Sequence, residues 1–350
     1  MIIGNIDTME NGLCISVDWL SFTVKKVMSW QDVIKYFGLN IKQFQTGLNG
    51  SYGYKARVRH MVYPISVLYD GNDGMGVHVD VSGSAVGYFL QCYLDMHMDS
   101  ETPFGCSAYE VESFNDTILG DVLKDILDIG QLTRFDLAID DIGCNYYTLP
   151  ELGDIFRNGL YTSRFKKFKD VYEGGKDFCS GSSIYLGSRQ SELMIRIYDK
   201  QLEQNSKKHD SILMPWVRWE IELHRDRACA VAAFLVGGKS LPDTAVGILS
   251  NYLRLIVKDK SRDSRCSTAQ KWLDFLDGIG KVRICQPMEE KTIDDKREWV
   301  MRQVAPTLSA IYEIDGDLSF IYSLIENGSV RYSFELENMI RASQCMPEAS

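Results

Sequence analysis

Read for alternation of apolar and polar positions, the chain changes character near residue 226. Before it, short segments rich in β-branched and aromatic residues recur: LCISVDWLSFTV, ARVRHMVYPISVLYD, GVHVDVSGS, TRFDLAIDDIG, RFKKFKDVYEG, SSIYLGS, ELMIRIYDK and VRWEIELHRD. A period of two marks strands with one face buried. Helical patterns lie between them, near SWQDVIKYFG, SAVGYFLQCYLDMH, DTILGDVLKDILDIG and LPELGDIFRNGL. After residue 226 the pattern is almost wholly helical, with RACAVAAFLVG, AVGILSNYLRLIV, AQKWLDFLDGI and a long run from Ile293 to Ile311. This order predicts an α+β fold with largely antiparallel sheets and a helical C-terminal region.

The β-rich part reads as one unit written twice. VDWLSFTV, the pair ARVRHMVY and ISVLYD, then VHVDVSGSAVGYFL give strand, hairpin, strand, helix. TRFDLAIDD, the pair SSIYLGS and LMIRIYDK, then RWEIELHRDRACAVAAFL give the same sequence of elements. We therefore expect two pseudo-repeats, 12–110 and 131–240, inside a body spanning 1–240, with 241–350 as the helical region. In that register Asp80 corresponds to Glu220 or Glu222.

Composition and charge adjust this picture only in places. With 350 residues, 45% hydrophobic and 25% charged, the chain is long enough to bury a substantial core. The start, MIIGNIDTMENG, is polar and acidic where a secretory signal is basic and then apolar, and the longest apolar run, around ACAVAAFLV, is too short to span a bilayer. The expectation is a cytoplasmic protein with no membrane partner. Nine scattered cysteines without a CxxC pair read as reduced thiols rather than a zinc ribbon or a disulfide framework. A net charge of −10 argues against nucleic acid, yet residues 161–208 hold ten Lys or Arg against six acids. The most basic window of an acidic protein is either a solvated face or a phosphate-binding one.

Alternation places chemistry within that window and beside it. Residues two apart on a strand share a face. In MIRIYDK this groups Arg196, Tyr198 and Lys200 against Ile195, Ile197 and Asp199. In RFDLAIDD it groups Asp136 and Asp140 against Phe135, Leu137 and Ile139. In VRWEIELH it groups Arg218, Glu220, Glu222 and His224 against Trp219, Ile221 and Leu223. If these strands are neighbours, the polar faces merge, and four carboxylates so close would repel unless compensated. A hard divalent cation, Mg²⁺ or Mn²⁺, is one resolution, and beside a phosphodiester it would neutralise charge built up in phosphoryl transfer. Cross-strand ion pairs on a solvated sheet are the other. A phenol has an ordinary pKa of about 10; flanking cations at Arg196 and Lys200 would favour its ionised, nucleophilic form. Alternation alone does not choose between Tyr185 and Tyr198, nor between chemistry and packing.

Other motifs fall away. GGKS at 237–240 lacks the first glycine of a phosphate loop, because position 233 is Ala233. The five histidines form no HxH or HExxH pair, and SGSA at 82–85 reads as a turn rather than a nucleophile elbow.

Taken together, VDWLSFTV, VHVDVSG, TRFDLAIDD, IYLGSRQSELMIRIYDK and RWEIELHRD, in this order and spacing, resemble the Rep_trans group of replication initiation factors. The group includes rolling-circle initiators of small plasmids, relaxases of integrative conjugative elements and replication proteins of filamentous phages. The resemblance covers roughly residues 12–240. It implies a pseudo-duplicated, HUH-like nicking and joining enzyme that forms a covalent 5′-phosphotyrosine with origin DNA. It selects Tyr198 as nucleophile, with Arg196 and Lys200 beside it, and leaves Tyr185 as a structural or DNA-contacting aromatic. Asp136, Asp140, Glu220 and Glu222 match the carboxylates assigned to a divalent metal, Mg²⁺ or Mn²⁺. Carboxylate ligation suits this branch, since the histidine pair of better-known HUH nucleases is absent here. Lys166, Lys167, Lys169 and Arg189 are the expected phosphate contacts to DNA that is single-stranded at the nick. A host helicase is an implied partner, and a homodimer is compatible with the same reading. A DNA-binding replication regulator of the same family that has lost cleavage remains the alternative.

Overall fold

Alternation resolves into one large sheet. In a computed structural model that describes residues 12–97, 115–175, 179–207, 214–281, 296–297 and 300–329, the first half runs β1 (Leu13–Val24), α1 (Trp30–Tyr36), β2 (Phe44–Asn49), β3 (Ala56–His60), β4 (Ile65–Tyr69), β5 (Val77–Ser82) and α2 (Ala85–His97). Helix α3 (Asn115–Ile129) leads into the second half: β6 (Gly130–Ile142), α4 (Leu149–Arg157), β7 (Tyr161–Ser163), β8 (Phe168–Gly174), β9 (Cys179–Leu186), β10 (Leu193–Asp199), α5 (Lys200–Lys207), β11 (Trp216–His224) and α6 (Arg225–Val236). Then follow α7 (Leu241–Tyr252), β12 (Leu253–Val257), β13 (Ser267–Thr268) and α8 (Gln270–Gly280).

Among the described residues ten strands form one sheet in the order β2-β3-β4-β5-β1-β6-β11-β10-β9-β8. Every pairing is antiparallel. Read outward from the central β1·β6 pair, the order is the same in both directions: first the strand that precedes a helix, then a hairpin, then an edge. The fold is thus α+β and pseudo-duplicated. The expected repeat limits extend over residues 98–110, which lie outside the described ones.

One face of the sheet carries the core. Leu20 and Phe22 of β1, Phe135, Leu137 and Ile139 of β6, Ile195 and Ile197 of β10, and Trp219 and Ile221 of β11 are all buried there, and helices α2, α3 and α6 pack on these strands. Trp219 meets Phe275 and Trp272 of α8 at ring-centre distances of 5.1 and 5.8 Å. At the end of β6, buried Asp141 points to the same side and accepts hydrogen bonds from the backbone N–H groups of Asn145, Tyr146 and Tyr147 at 2.8, 2.9 and 3.2 Å. Satisfying three donors offsets the cost of burying its charge.

The helical reading of AVGILSNYLRLIV needs correction. Helix α7 stops at Tyr252, and LRLIV is strand β12, paired with β7 on one side and β13 on the other. The run ends in β-branched Ile256 and Val257, and its N–H and C=O groups find a ladder where a helix would have ended in solvent. GGKS ends in the cap of α7, with Ser240 Oγ accepting from Asp243 N at 3.1 Å. RFKKFKDVYEG is extended only from Phe168, and the short β7 and α5 lie where the pattern predicts neither.

The chain divides into two compact units, Met1–Met288 and Glu289–Ser350. Residue 240 therefore falls inside the first unit, because α7 and α8 pack on β1 and α8 supplies Trp272 and Phe275 to the core. In the second unit the described residues form a π-helical turn at Val300–Val304 and two helices, α9 (Ala305–Asp315) and α10 (Ser319–Ser329). The predicted run 293–311 begins outside the described residues. No helix among the described residues is long and apolar enough to cross a membrane.

Because Trp272 is 1% exposed against Trp219, Trp272→Ala should remove about 3–5 kcal/mol of stability. A urea titration measures this as a lower midpoint, and an unchanged midpoint would mean that α8 is not part of the sheet's core.

Candidate active site

The face opposite the core is polar because the register of three adjacent strands makes it so. On β10 and β11, Arg196 stands opposite Glu220, Tyr198 opposite Arg218 and Met194 opposite Glu222. On β11 and β6, Arg218 stands opposite Asp140 and Glu222 opposite Asp136. On β9, Tyr185 stands opposite Arg196 and Ser183 opposite Tyr198. Partners across a ladder share a face, so Tyr198, Arg196, Asp136, Asp140, Glu220, Glu222 and Tyr185 lie on one surface. Lys169 joins it on the edge strand β8, opposite Tyr185. Lys166 and Lys167 precede that strand, across β9 from the tyrosine, and Arg189 sits in the β9–β10 turn at the other end of β10; all three are exposed. Lys200 opens α5 rather than continuing β10. Its Nζ still reaches the Tyr198 hydroxyl, at 3.4 Å.

Two arginines, Arg218 buried and Arg134 half-buried, organise the surface. Arg218 donates from Nε and Nη2 to the two oxygens of Asp140, at 2.7 and 2.8 Å, and from Nη1 to Asp18, at 2.6 Å. Trp216 Nε1 also donates to Asp140, at 2.7 Å. Arg134 donates from Nε to Asp136 at 2.9 Å, and from Nη2 to Asp136 at 2.5 Å and to Glu222 at 3.1 Å. Its guanidinium lies 4.0 Å from the ring centre of Trp19. His224 Nε2 is 2.6 Å from the second oxygen of Glu222. Sequence reasoning assigned no role to Arg218, Arg134, Trp19 or Asp18. Arg134 and Arg218 were within reach of it, each two residues from a candidate carboxylate. Asp18 was not: strict alternation points it at the core with Leu20, and only a β-bulge between Val17 and Trp19 turns it outward.

The phenol is not activated in this arrangement. Tyr198 is 3% exposed. Burial pushes its pKa well above the usual value; Arg218 opposes the shift, while Glu220, Asp18 and Glu203 add to it. Arg196 and Lys200 are not among the groups that mainly oppose or add to this rise. Arg196 lies over the face of the ring, 4.0 Å from its centre, rather than at the oxygen. Lys200 is itself buried, which pushes its pKa down, and Arg218 pushes it further; a 2.5 Å ion pair with Glu203 only partly offsets the two.

The carboxylates do not converge as one set of four. Asp140 gives both oxygens to Arg218, and Asp136 and Glu222 are bridged by Arg134. Glu220 stands between them, 3.7 Å from Arg196, and its buried Oε2 accepts no hydrogen bond from the described residues. The donor chemistry, hard oxygens, is right for Mg²⁺ or Mn²⁺. The arrangement is not: a guanidinium fills the place between Asp136 and Glu222, and among the described residues no group of three His, Cys, Asp or Glu is set to hold a metal. Repulsion among the carboxylates is compensated here by arginine.

Comparison with known proteins gives this geometry a context. The model of a family described as replication initiation factor matches residues 130–325, more than half the chain and all of β6 to β11. A Bacillus subtilis (strain 168) protein provisionally named DNA relaxase NicK is 31% identical over 194 residues, 54% of this chain and 55% of that protein. The chain thus spans about half the length of that curated relative. A solved rolling-circle replication initiator from Geobacillus stearothermophilus superposes with a TM-score of 0.65 at 27% identity, covering 79% of this chain and all of that one.

Arg218 is fully enclosed between two carboxylates, so Arg218→Met should cost roughly 3–5 kcal/mol by leaving both uncompensated. Pairing it with Asp140→Leu should recover part of that loss. Urea midpoints of the two variants measure the coupling, and equal losses would mean that the ion pair does not organise the face.

Proposed function

The chain belongs to the replication initiation factor family, and we propose that it is a rolling-circle replication initiator or relaxase that nicks origin DNA by tyrosine transesterification and later rejoins it. One observation carries this reading: a single phenol hydroxyl on the open face of the sheet has Lys200 Nζ at 3.4 Å, Arg196 over its ring and Arg218 opposite it in register. Two guanidinium cations and an amine that can take the proton suit a phenol that must attack a phosphate.

In the proposed step Tyr198 Oη attacks phosphorus, the P–O3′ bond breaks and a Tyr–O–P bond forms. The phenol proton passes to neutral Lys200, and the resulting ammonium returns it to the leaving 3′-oxygen. Arg196, whose one ion pair among the described residues is the loose 3.7 Å contact with Glu220, is the cation able to move to a phosphate oxygen. Arg218, locked by Asp140 and Asp18, is the fixed one. One phosphodiester is exchanged for another, so a second attack by a 3′-hydroxyl reverses the reaction, in the manner of a topoisomerase. A divalent ion would lend electrophilic assistance and would take Asp136, Glu220 and Glu222 as ligands. Those residues do not fit it where they stand, and the chain's own side chains carry the step above.

The strand is proposed to run toward the β8 edge, with Lys166, Lys167, Lys169 and Arg189 on phosphates and Tyr185 stacking on a base. We assign nicking and joining to the part of the chain before residue 240, which holds every residue named for it. Such a protein would work in the cytoplasm on DNA single-stranded at the nick, with a host helicase and, in a homodimer, a second copy. The 3% exposure of Tyr198 favours a second reading, a DNA-binding regulator whose phenol never meets a phosphate.

One denaturing gel separates the readings. With an oligonucleotide carrying the nick site, labelled at its 3′ end, in Mg²⁺ or Mn²⁺, we expect a covalent adduct that Tyr185→Phe retains and Tyr198→Phe abolishes. An undiminished adduct in Tyr198→Phe overturns the assignment, and salt-dependent binding without any adduct selects the regulator.

The pH dependence tests the base. Because burial and Arg218 lower the Lys200 pKa, its neutral form grows as pH rises. The adduct rate should climb and level off below the ordinary lysine value of about 10.4, and Lys200→Gln should lose that limb. A limb that continues past pH 10 and survives Lys200→Gln would belong to Tyr198 itself.

A further inference from the structure

Arg134 stands where the two halves of the sheet meet. β1 pairs Ser21 with Arg134 and Trp19 with Asp136, and β5 pairs Asp80 with Ser21. Trp19 is fixed by its indole N–H, which lies 2.7 Å from Asp80 Oδ1 and 2.6 Å from Ser21 Oγ. Asp80 Oδ1 also accepts from Ser21 Oγ. The indole face left over carries the Arg134 guanidinium at 4.0 Å. Arg134 Nη2 in turn lies 2.5 Å from Asp136 and 3.1 Å from Glu222. A cation bridging two carboxylates that face each other across a ladder is in the position of a metal ion.

We propose that Arg134 is a resident counter-ion, which a divalent cation must displace to bind Asp136 and Glu222, and that Trp19 is the positioning residue that keeps it there. Like charges directly opposite on a sheet destabilise it, so the pair Asp136 and Glu222 needs a cation whenever both are ionised. A guanidinium supplies it at every ordinary pH, since it does not titrate. Mg²⁺ or Mn²⁺ would need these oxygens at about 2.0–2.2 Å, in space that Nη2 fills, so the two cations exclude each other. Glu220 supplies the next donor: nine-tenths buried, it has an oxygen that accepts no hydrogen bond. Arg134 has a way out, with its side chain 24% exposed. While it stays between the carboxylates, the protein would bind a divalent ion only weakly.

The inference does not depend on nicking, and its test uses no DNA. Free Mn²⁺ is followed by its electron paramagnetic resonance signal as the full chain is added. Arg134→Gln should bind one Mn²⁺ at least about tenfold more tightly than the parent, the effect of removing one unit charge a few ångströms away. Adding Asp136→Asn should abolish the gain. Arg134→Lys, which keeps the charge, should stay near the parent, and Trp19→Leu, which only loosens the guanidinium, should give a smaller gain of the same sign. Thermal melts in metal-free buffer establish that each variant is folded. The proposal is overturned if neither folded Arg134→Gln nor folded Trp19→Leu gains affinity, or if the gain survives Asp136→Asn.

Discussion

Arg218 ties four strands together. It projects from β11, takes Asp140 from β6 and Asp18 from the bulge of β1, and faces Tyr198 on β10. Removing an ion pair from water costs several kcal/mol per charge, and the loss is recovered only where the hydrogen bonding is complete. Here three guanidinium nitrogens have carboxylate partners within 2.8 Å. A slip of one residue in any of the three ladders would send a charge into the apolar layer occupied by Trp219 and Ile197. The register that sets Tyr198 among its cations is therefore enforced from both faces, by packing behind and by charge in front.

The pseudo-duplication explains why chemistry gathers in one half. Corresponding places about the central pair hold Ser21 opposite Asp80 on β1 and β5, and Asp136 opposite Glu222 on β6 and β11. In each half the residue two positions earlier on the inner strand, Trp19 or Arg134, donates to the outer acid. One acid with neutral donors needs no counter-ion, so the first half is satisfied within itself. Two acids require a cation, and the second half carries one. The family match begins at residue 130, the first residue of β6, and runs to residue 325, so it takes in the charged half and leaves out the neutral one.

Most of the fold was legible because strands on a one-sided sheet advertise their faces. RFDLAIDD, MIRIYDK and VRWEIELH each separate polar from apolar with a period of two, and the three faces do coincide. What stayed hidden has local physical causes. The bulge at Asp18 breaks the period that made the rest readable. LRLIV follows a helix without a breaker, and only its partners β7 and β13 make it a strand. The carboxylates were recognised, but their compensation was assigned to an ion, because pattern reveals which charges share a face and not which of them touch. Arg134 and Arg218 were visible in the same alternation, and cross-strand ion pairs, the blander alternative, are what the side chains form.

Burial of Tyr198 and a nucleophilic role are compatible once the strengths of its covers are compared. Arg196 rests on the phenol ring at 4.0 Å, a contact of about 0.5–2 kcal/mol, and its ion pair with Glu220, at 3.7 Å, is too long for a hydrogen bond. A phosphodiester offers the same guanidinium charge-assisted, bidentate hydrogen bonds, which are stronger than either. Under the nicking reading, the substrate would draw Arg196 off the ring and so uncover the hydroxyl it is to meet, bringing a cation to the phosphate in the same movement. The raised phenol pKa then describes the protein before DNA arrives, when a covered, protonated tyrosine is protected from idle reaction. Under the same reading the second cover, Lys200, would not need to leave, because it stands 3.4 Å from the hydroxyl, where the proton would go.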